Sequence, residues 1–422
     1  MSEPAPQPSE PVRARPAALG FIYAATLMNT MSMGVIIPVF PVLVKSLTGE
    51  GDAGAAQITG VFGAVWALMQ LSFAPVFGNL SDRFGRRPVL LVSMFGLALD
   101  YAIMALAPNI AWLFVGRVIS GITSSSGSAA GAYVADVSTV ETRTRNFGRF
   151  QAAANAGILI GPVLGGFVGA LDPRAPFWVA AALAAANGLY GVFIVPESLS
   201  PDRRMAFAWK RANPFGAGAM LVTRKGLAGL AAVLLVVQFA LSTFNSIFQF
   251  YTHARYGWGP PQVAWFMTLM SGGNIVVASF VAGWTARLIG ERGAVILGLA
   301  IGVVGFAWMG LAPAELWFWT GVIPAILFGI NFPNFMSLLT QRVGEDEQGQ
   351  LQGALAILFG VSQLVGPIIF SDLFAWSMGP GAALHLPGLT LLVGSGLLAV
   401  GVALAVAYAR PVPTAISSLP AS

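Results

Sequence analysis

Two charged residues, Asp100 and Arg117, lie inside long apolar stretches of this chain. A charged side chain in hydrocarbon costs from about 3 to more than about 10 kcal/mol, so each needs a partner or a wet cavity. Burial favours the neutral form of a carboxyl, which suits Asp100 to carry a proton; the alternative is a structural, ion-paired residue. A third charged residue, Asp372, lies near the end of another apolar stretch, where we expect its carboxyl to meet interfacial water.

Residues for other kinds of chemistry are scarce. There is no cysteine, and the two histidines, His253 and His385, are 132 positions apart, which argues against a metal site. The chain contains no G-x-x-x-x-G-K-[ST] loop, so ATP is not the expected energy source. No Ser/His/Asp set or carboxylate pair points to an enzyme. We therefore expect no enzymatic activity, no metal and no cofactor.

The elements that must position Asp100 and Arg117 are membrane helices. Of 422 residues, 56% are hydrophobic and 9% charged, with a mean hydropathy of +0.76, whereas a soluble domain carries about 25% charged residues. A membrane-crossing helix needs about 20 apolar residues. The sequence therefore predicts an all-α polytopic membrane protein with twelve transmembrane helices, near 18–44, 57–80, 88–107, 110–135, 147–170, 176–195, 227–251, 262–285, 293–311, 315–340, 351–375 and 386–409.

The basic residues predict the orientation of these spans. With a cytoplasmic N-terminus, 18 of the 22 Lys and Arg fall in cytoplasmic segments, and only Lys45, Arg174 and Arg255 lie on the other side. This asymmetry is the positive-inside pattern, and it predicts that both termini lie in the cytoplasm. Because the basic residues line short loops, the pI near 9.8 does not indicate nucleic-acid binding.

The polar stretch 196–226 divides the chain into two halves. Its aromatic residues Phe207, Trp209 and Phe215, near Lys210 and Arg211, suit a segment on the membrane surface, although a solvated linker is an equal alternative. The predicted organisation is a disordered cytoplasmic tail, a six-helix bundle, a cytoplasmic linker, a second six-helix bundle and a second tail, at 1–16, 17–195, 196–226, 227–410 and 411–422.

The two halves are an internal repeat at an offset of 205 residues. Gly78, Gly85 and Arg87 fall on Gly283, Gly290 and Arg292, and the fifth span of each half repeats in the same way: Gly148, Gly161 and Pro162 fall on Gly353, Gly366 and Pro367. Two like-oriented, pseudo-symmetric bundles are an architecture in which the solute site lies between the halves. This predicts transport by alternating access.

The segment GNLSDRFGRRPVLL at 78–91 joins the second and third spans. It resembles the G-x-x-x-D-R-x-G-R-R signature of the major facilitator superfamily, and a merely basic loop would not explain the spacing of its glycines and Asp. The resemblance implies a conformational latch in which Asp136, at the end of span four, joins this loop. The implied latch residues are Gly78, Asp82, Arg83, Gly85, Arg86, Arg87 and Asp136.

The fifth span carries GILIGPVLGG at 157–166. Glycines four residues apart lie on one helix face and allow close approach of a neighbour, and Pro162 permits a kink. Tight packing explains the pattern physically, yet it resembles the fifth-helix motif of antiporters in the superfamily, which favours export. The motif residues are Gly157, Gly161, Pro162, Gly165 and Gly166.

Residues 60–170 resemble bacterial tetracycline exporters most densely, and the resemblance continues more weakly to about residue 370. It implies that Gln70, Ser93, Asp100 and Arg117 face the substrate path. The chain departs from those exporters at three positions where they carry titratable groups; here these are Asn29, Asn274 and Gly302. The departures put both a tetracycline substrate and the usual proton path in question.

Uncharged polar residues are numerous in the spans, and together they predict a mostly neutral pocket for hydrophobic or weakly polar solutes. For any single Asn a helix–helix hydrogen bond is the more common role. The candidate substrate-binding residues are Asn29, Gln70, Ser93, Asp100, Arg117, Gln238, Asn245, Asn274, Asn331 and Gln363, with Asp100 and Arg117 also the proton-coupling candidates.

The predicted function is export of hydrophobic or weakly polar small molecules, as in drug or tetracycline-like efflux, by proton antiport with alternating access. The expected location is the bacterial inner membrane. The expected partners are a small-molecule substrate and the lipid bilayer, with the proton gradient as energy source, no ATP, no nucleic acid and a monomeric state. The alternatives are an uptake symporter or facilitator for a nutrient and, more remotely, a non-transporting receptor or scaffold. Neither degraded motifs nor added soluble domains support the last alternative.

Overall fold

The computed structural model describes residues 16–207, 221, 226–344, 347–384 and 386–409. The first half of the chain forms six spans, of which the fourth consists of two helices joined by a turn of 3-10 helix at Ser124–Ser126. Its helices are Pro16–Thr48, Asp52–Phe84, Arg86–Leu106, Ile110–Thr123, Gly127–Asp136, Val140–Gly169 and Ala175–Ile194.

The second half repeats this order. A π-helical turn at Val277–Val281 lies within span eight, and a 3-10 turn at Phe328–Ile330 lies within span ten. Its helices are Leu227–Tyr256, Pro260–Val276, Ala282–Leu311, Glu315–Thr320, Val322–Leu327, Asn331–Thr340, Gln348–Met378 and Leu389–Tyr408.

The twelve spans follow from apolar length. Within the described ranges, nine helical runs are long and apolar enough to cross a membrane, and the longest, Pro260–Leu311, contains two spans. Gly290 separates these two because its φ of 73° and ψ of 161° are not helical. The remaining spans are the first, which forms Pro16–Thr48, and the fourth, whose serine turn divides it into shorter helices. The predicted twelve-helix fold is confirmed.

The serines of span four explain its local change of helix type. Ser125 Oγ donates to the carbonyl of Gly121 at 3.0 Å and to the carbonyl of Gln70 at 3.3 Å. A serine hydroxyl that bonds back to the preceding turn competes with the backbone ladder and bends the helix. The change of helix type therefore lies between Arg117 and Asp136, the two residues that the sequence singles out on span four.

The same packing pattern recurs in each half. Span one lies against spans five and six, and span three against spans four and six; in the second half span seven lies against eleven and twelve, and span nine against ten and twelve. The helices form two compact units. The first contains Gly259–Trp265 besides most of the first half, and the second contains Glu50–Ala64 besides most of the second half.

Parts of the predicted organisation fall on residues outside the described ranges. These are residues 1–15 of the predicted N-terminal tail, the predicted C-terminal tail 411–422, and most of the predicted linker 196–226, including Trp209 and Phe215. The first part of the linker is described without a gap as far as Phe207. It begins with a short 3-10 turn at Pro201–Arg203, and the Met205 amide donates to the Asp82 carbonyl at 3.0 Å.

Candidate functional site

A charge cluster joins the ends of spans two, three and four. Arg86 Nη1 lies 2.5 Å from Asp82 Oδ1, one helical turn before it, and Arg86 Nε lies 3.3 Å from Asp136 Oδ2. The same guanidinium donates to Ser81 Oγ at 2.6 Å. The Arg86 side chain is only 12% exposed, so its two carboxylate partners are partly shielded from water. The structure thus brings together Asp82, Arg86 and Asp136, as the resemblance predicts.

Glu197 is a member of this cluster that the sequence analysis missed. It follows span six, and its carboxylate accepts the backbone N–H of Arg86 at 2.8 Å and of Arg87 at 3.2 Å. It therefore supplies negative charge and hydrogen-bond acceptors at the start of the span-three helix, where free N–H groups are concentrated. Its neighbour Ser198 donates to Asp136 Oδ2 at 3.2 Å. The available signal was an acidic residue directly after a Pro that ends a span.

The other predicted latch residues lie beside the cluster. Gly85 has a φ of 106°, a conformation that only glycine adopts readily, so it sets the tight turn into span three. Gly78 lies where a β-carbon would be 3.8 Å from Ser128 Oγ. Arg87 donates to the Val192 carbonyl at 2.5 Å, and the exposed Arg83 lies over the ring of its neighbour Phe84.

Asp100 and Arg117 form a buried pair between spans three and four. Asp100 is fully buried and Arg117 is 7% exposed. Arg117 Nη2 lies 3.8 Å from Asp100 Oδ2, at ion-pair distance but beyond a hydrogen bond. The same nitrogen lies 3.1 Å from Met104 Sδ, and the guanidinium sits 5.6 Å from the ring centre of Phe40. The two side chains therefore form an ion pair without a direct hydrogen bond between them.

The remaining first-half candidates differ in how deeply they are buried. Ser93 is 1% exposed and lies in span three, about two helical turns before Asp100. Gln70 and Asn29 are half-buried. Thr30, next to Asn29, donates to the Ala154 carbonyl of span five at 2.8 Å. The structure places Gln70 beside span four, since its carbonyl accepts from Ser125.

Two second-half candidates line one cleft. Gln238 of span seven and Asn331 of span ten share it with aromatic and aliphatic side chains, and none of the described residues that line it is charged: Val233, Leu234, Val237, Leu241, Phe328, Phe332 and Phe335. Asn274 instead donates to the Met270 carbonyl of its own helix at 3.2 Å. Asn245 is exposed and Gln363 half-buried.

The glycines of the fifth-span motif contact two different neighbouring helices. A β-carbon on Gly161 would lie 2.6 Å from the Met31 carbonyl of span one, and β-carbons on Gly157 and Gly165 would also collide with that span. Pro162 lies on the same interface, opposite Gly34. Gly166 faces a different neighbour, Pro260 and Ala264 at the start of span eight. The four-residue spacing therefore gives the predicted close approach, and the structure shows that the neighbour is span one.

A family model decides which proteins this chain belongs with. The model of the Major Facilitator Superfamily matches residues 22–367. The chain belongs to that superfamily. Superfamily membership makes it a multi-pass membrane transporter of small molecules and not an enzyme. The family that the sequence predicted is confirmed.

Curated relatives within the superfamily cover nearly the whole chain. The tetracycline resistance protein, class C, of Escherichia coli is 34% identical over 380 residues, which are 90% of this chain and 94% of that protein. Multidrug resistance protein 2 of Bacillus subtilis (strain 168) is 25% identical, over 87% of this chain and 90% of that protein.

A solved structure of a superfamily member has the same fold. It is a bacterial homologue of the human lysosomal transporter Spinster, in an inward-facing and unoccupied conformation, with a TM-score of 0.74. The match covers 94% of this chain and 98% of that chain at 15% sequence identity. At that identity the likeness shows the fold alone.

Proposed function

We propose that this superfamily member exports hydrophobic or weakly polar small molecules from the cell by proton antiport with alternating access. The observation that carries the proposal is the similarity to drug resistance proteins over about nine-tenths of the chain. In the proposal the proton gradient is the only energy source, without ATP or another cofactor. The transporter acts as a monomer and binds no nucleic acid.

The second-half cleft supports a neutral or weakly polar solute. Gln238 and Asn331 offer amide donors and acceptors, while Phe328, Phe332 and Phe335 offer apolar contact area. A few placed polar groups in a mainly apolar lining orient a ligand without requiring that it carry charge. Asn331 is 4% exposed, so the amide that it contributes to the cleft is already shielded from bulk water.

The departures from tetracycline exporters support a different substrate or coupling route. At Gly302, where those exporters carry a carboxylate, a β-carbon would lie 2.5 Å from the Phe328 ring. The space for an acidic side chain is filled at this position. Asn274, at the position of their histidine, donates to a backbone carbonyl. The Asp100–Arg117 pair, which is the predicted coupling candidate of the spans, is therefore proposed to carry the proton.

The function is tested by expressing the chain in a bacterial host that lacks its own exporters and challenging it with a panel of hydrophobic compounds that includes tetracycline. We expect lower accumulation and higher tolerance for some of them, both reversed by a protonophore. Raised accumulation of a compound would instead indicate uptake. No change for any compound, with the protein present in the membrane, would contradict export of this solute class.

We further propose that both termini and the linker lie in the cytoplasm, because 18 of the 22 Lys and Arg then face that side. Two fusions made after residue 212 test this. A reporter active only in the cytoplasm is expected to be active, and alkaline phosphatase, which needs export, to be inactive. The same phosphatase after Lys45 is the positive control. An active phosphatase after residue 212 contradicts the orientation.

The cluster of Asp82, Arg86 and Asp136 is proposed as a latch that stabilises the outward-facing state. Asp82→Asn removes a charge-assisted hydrogen bond of about 1–2 kcal/mol, so we expect transport slower by about five- to thirtyfold. Substrate affinity is expected to stay within a few-fold, because the cluster shares no residue with the cleft. Initial rates of export from loaded vesicles measure this effect.

The matched control for the latch is Arg83→Gln. Arg83 is exposed, stands next to Asp82 and contacts only its neighbour's ring among the described contacts. Its removal changes loop charge by one unit, as Asp82→Asn does, without touching the cluster. We expect a rate within twofold of the unsubstituted protein. Equal rates for both variants and the unsubstituted protein would show that the cluster is no latch.

A further inference from the structure

The loop between spans eight and nine repeats the geometry of the loop that carries the latch. Gly290, 205 residues after Gly85, has a φ of 73° and a ψ of 161°, against 106° and 162° at Gly85. Arg292 donates to the Val406 carbonyl of span twelve at 2.6 Å, as Arg87 does to the Val192 carbonyl of span six. In each half, the glycine therefore makes the turn, and the arginine bonds the start of the next span to the last span of that half.

The polarity of the side chains on this repeated backbone is reversed. At the offset of 205, Glu291 takes the place of Arg86, and Gln341 takes the place of Asp136. Where Arg86 donates to Asp136, the Glu291 carboxylate accepts from Gln341 Nε2, at 3.0 Å to Oε2 and 3.2 Å to Oε1. Glu291 Oε1 also accepts the Ser337 hydroxyl at 2.6 Å.

The reversal also changes how the start of the helix is stabilised. Arg86 places a cation at the N-terminus of span three, where negative charge is favoured, and Glu197 arrives from after span six to supply the anion. Glu291 directly follows Gly290 and provides the anion at the start of span nine itself. In the second half, Glu291 alone supplies the negative charge at the helix start and accepts a hydrogen bond from the end of span ten. In the first half, Glu197 supplies that charge and Asp136 accepts from Arg86.

We propose that Glu291, with Ser337 and Gln341, is a second latch that positions the loop between spans eight and nine against the end of span ten during transport. This rests on the proposed transport function. Glu291 is a positioning residue and contacts no substrate. Because its partners are neutral donors, the latch depends on a single negative charge and tolerates no second carboxylate nearby.

An exchange of the two side chains tests this dependence. Gln341→Glu places two carboxylates about 3 Å apart, and like charges at that distance repel; we expect turnover at least tenfold lower with KM within a few-fold. Exchanging the partners, Glu291→Gln with Gln341→Glu, restores one carboxylate and one amide, and we expect turnover within threefold of the unsubstituted protein. Asp82→Asn serves as the comparison from the first latch.

A reporter thiol separates the latch from the transport function. The chain has no cysteine, so Leu338→Cys is a unique maleimide target. Leu338 is 2% exposed and lines, with Glu291 and Arg292, a second cleft that is distinct from the one lined by Gln238 and Asn331. We expect Gln341→Glu to speed its labelling about tenfold and the exchanged pair to reverse this. The labelling tests the latch even if the chain exports nothing. An absence of export would overturn only the proposed function.

The proposal is overturned if Gln341→Glu keeps its turnover and labelling rate, or if the exchanged pair is as impaired as Gln341→Glu alone. Should Gln341→Glu fail to reach the membrane, Ser337→Ala replaces it, since it removes the 2.6 Å bond to Glu291 without adding charge. About threefold lower turnover and threefold faster labelling are then expected. Unchanged values in that variant overturn the proposal equally.

Discussion

Asp100→Asn is expected to abolish uphill export driven by a pH gradient while leaving downhill exchange of the same solute measurable. Asn occupies nearly the same volume as Asp but binds no proton. Asp100 is fully buried beside Arg117, so the substitution removes a titratable group from the interior of the spans. In proteoliposomes with an imposed gradient, uphill accumulation is expected to fall by at least about a hundredfold.

The geometry of the pair explains why it suits coupling. Arg117 Nη2 lies 3.8 Å from Asp100 Oδ2 and 3.1 Å from Met104 Sδ, so the guanidinium is shared between the carboxylate and the thioether. A nearby cation favours proton release, and separation from it in a dry environment favours proton uptake. We propose that a small rotation of span four relative to span three switches Asp100 between these two situations. Such alternation between two conformations is what an antiport cycle requires.

Two comparisons keep this prediction specific. Asp372→Asn removes another carboxyl of the spans but keeps an oxygen that can accept from Gln57 Nε2, now 2.9 Å away, so uphill export is expected to survive. Asp100→Asn also leaves a buried cation without its counterion, which destabilises a protein by several kcal/mol in soluble examples. Retained downhill exchange then shows that the variant is folded. If uphill export survives in Asp100→Asn, the proton must use Asp136, Glu141 or another route.

The parts of the site that could be predicted from the sequence are those that depend on the spacing of residues along the chain. The offset of 205 residues anticipated that Gly85 and Gly290 occupy equivalent turns, and both have a positive φ. It did not reveal the polarity reversal at Glu291, because matching identical residues passes over positions where the two halves differ. Glycine spacing in the fifth span likewise predicted close packing but not which neighbour each glycine meets.

Contacts between distant segments were harder to predict. Glu197 reaches the start of span three across more than a hundred residues, and nothing in its local pattern says which helix end it caps. Asp372 was expected to meet interfacial water, and it is exposed, yet it also accepts from Gln57 of span two. Such pairs depend on how helices are rotated about their axes. Apolar length predicts that a helix spans the membrane but leaves its rotation open.

The second large effect is expected at Gly161. Its missing side chain lets spans five and one touch through their backbones: a β-carbon there would lie 2.6 Å from the Met31 carbonyl and 2.8 Å from Gly34 Cα. Neither backbone atom can turn aside as a flexible side chain would. Gly161→Ala is expected to destabilise the protein by about 1–3 kcal/mol, and Gly161→Leu to abolish transport and lower the melting temperature in detergent.

A control in the same helix gives the opposite sign. Gly148 belongs to Val140–Gly169 as Gly161 does, but a β-carbon there meets no atom within 4 Å. Alanine at an unobstructed helix position is favoured over glycine by about 1 kcal/mol, so Gly148→Ala is expected to be neutral or slightly stabilising. Melting temperatures and export rates of the two alanine variants measure the difference. If Gly161→Ala were as stable and active as Gly148→Ala, the close contact of spans one and five would not be what the fifth-span glycines provide.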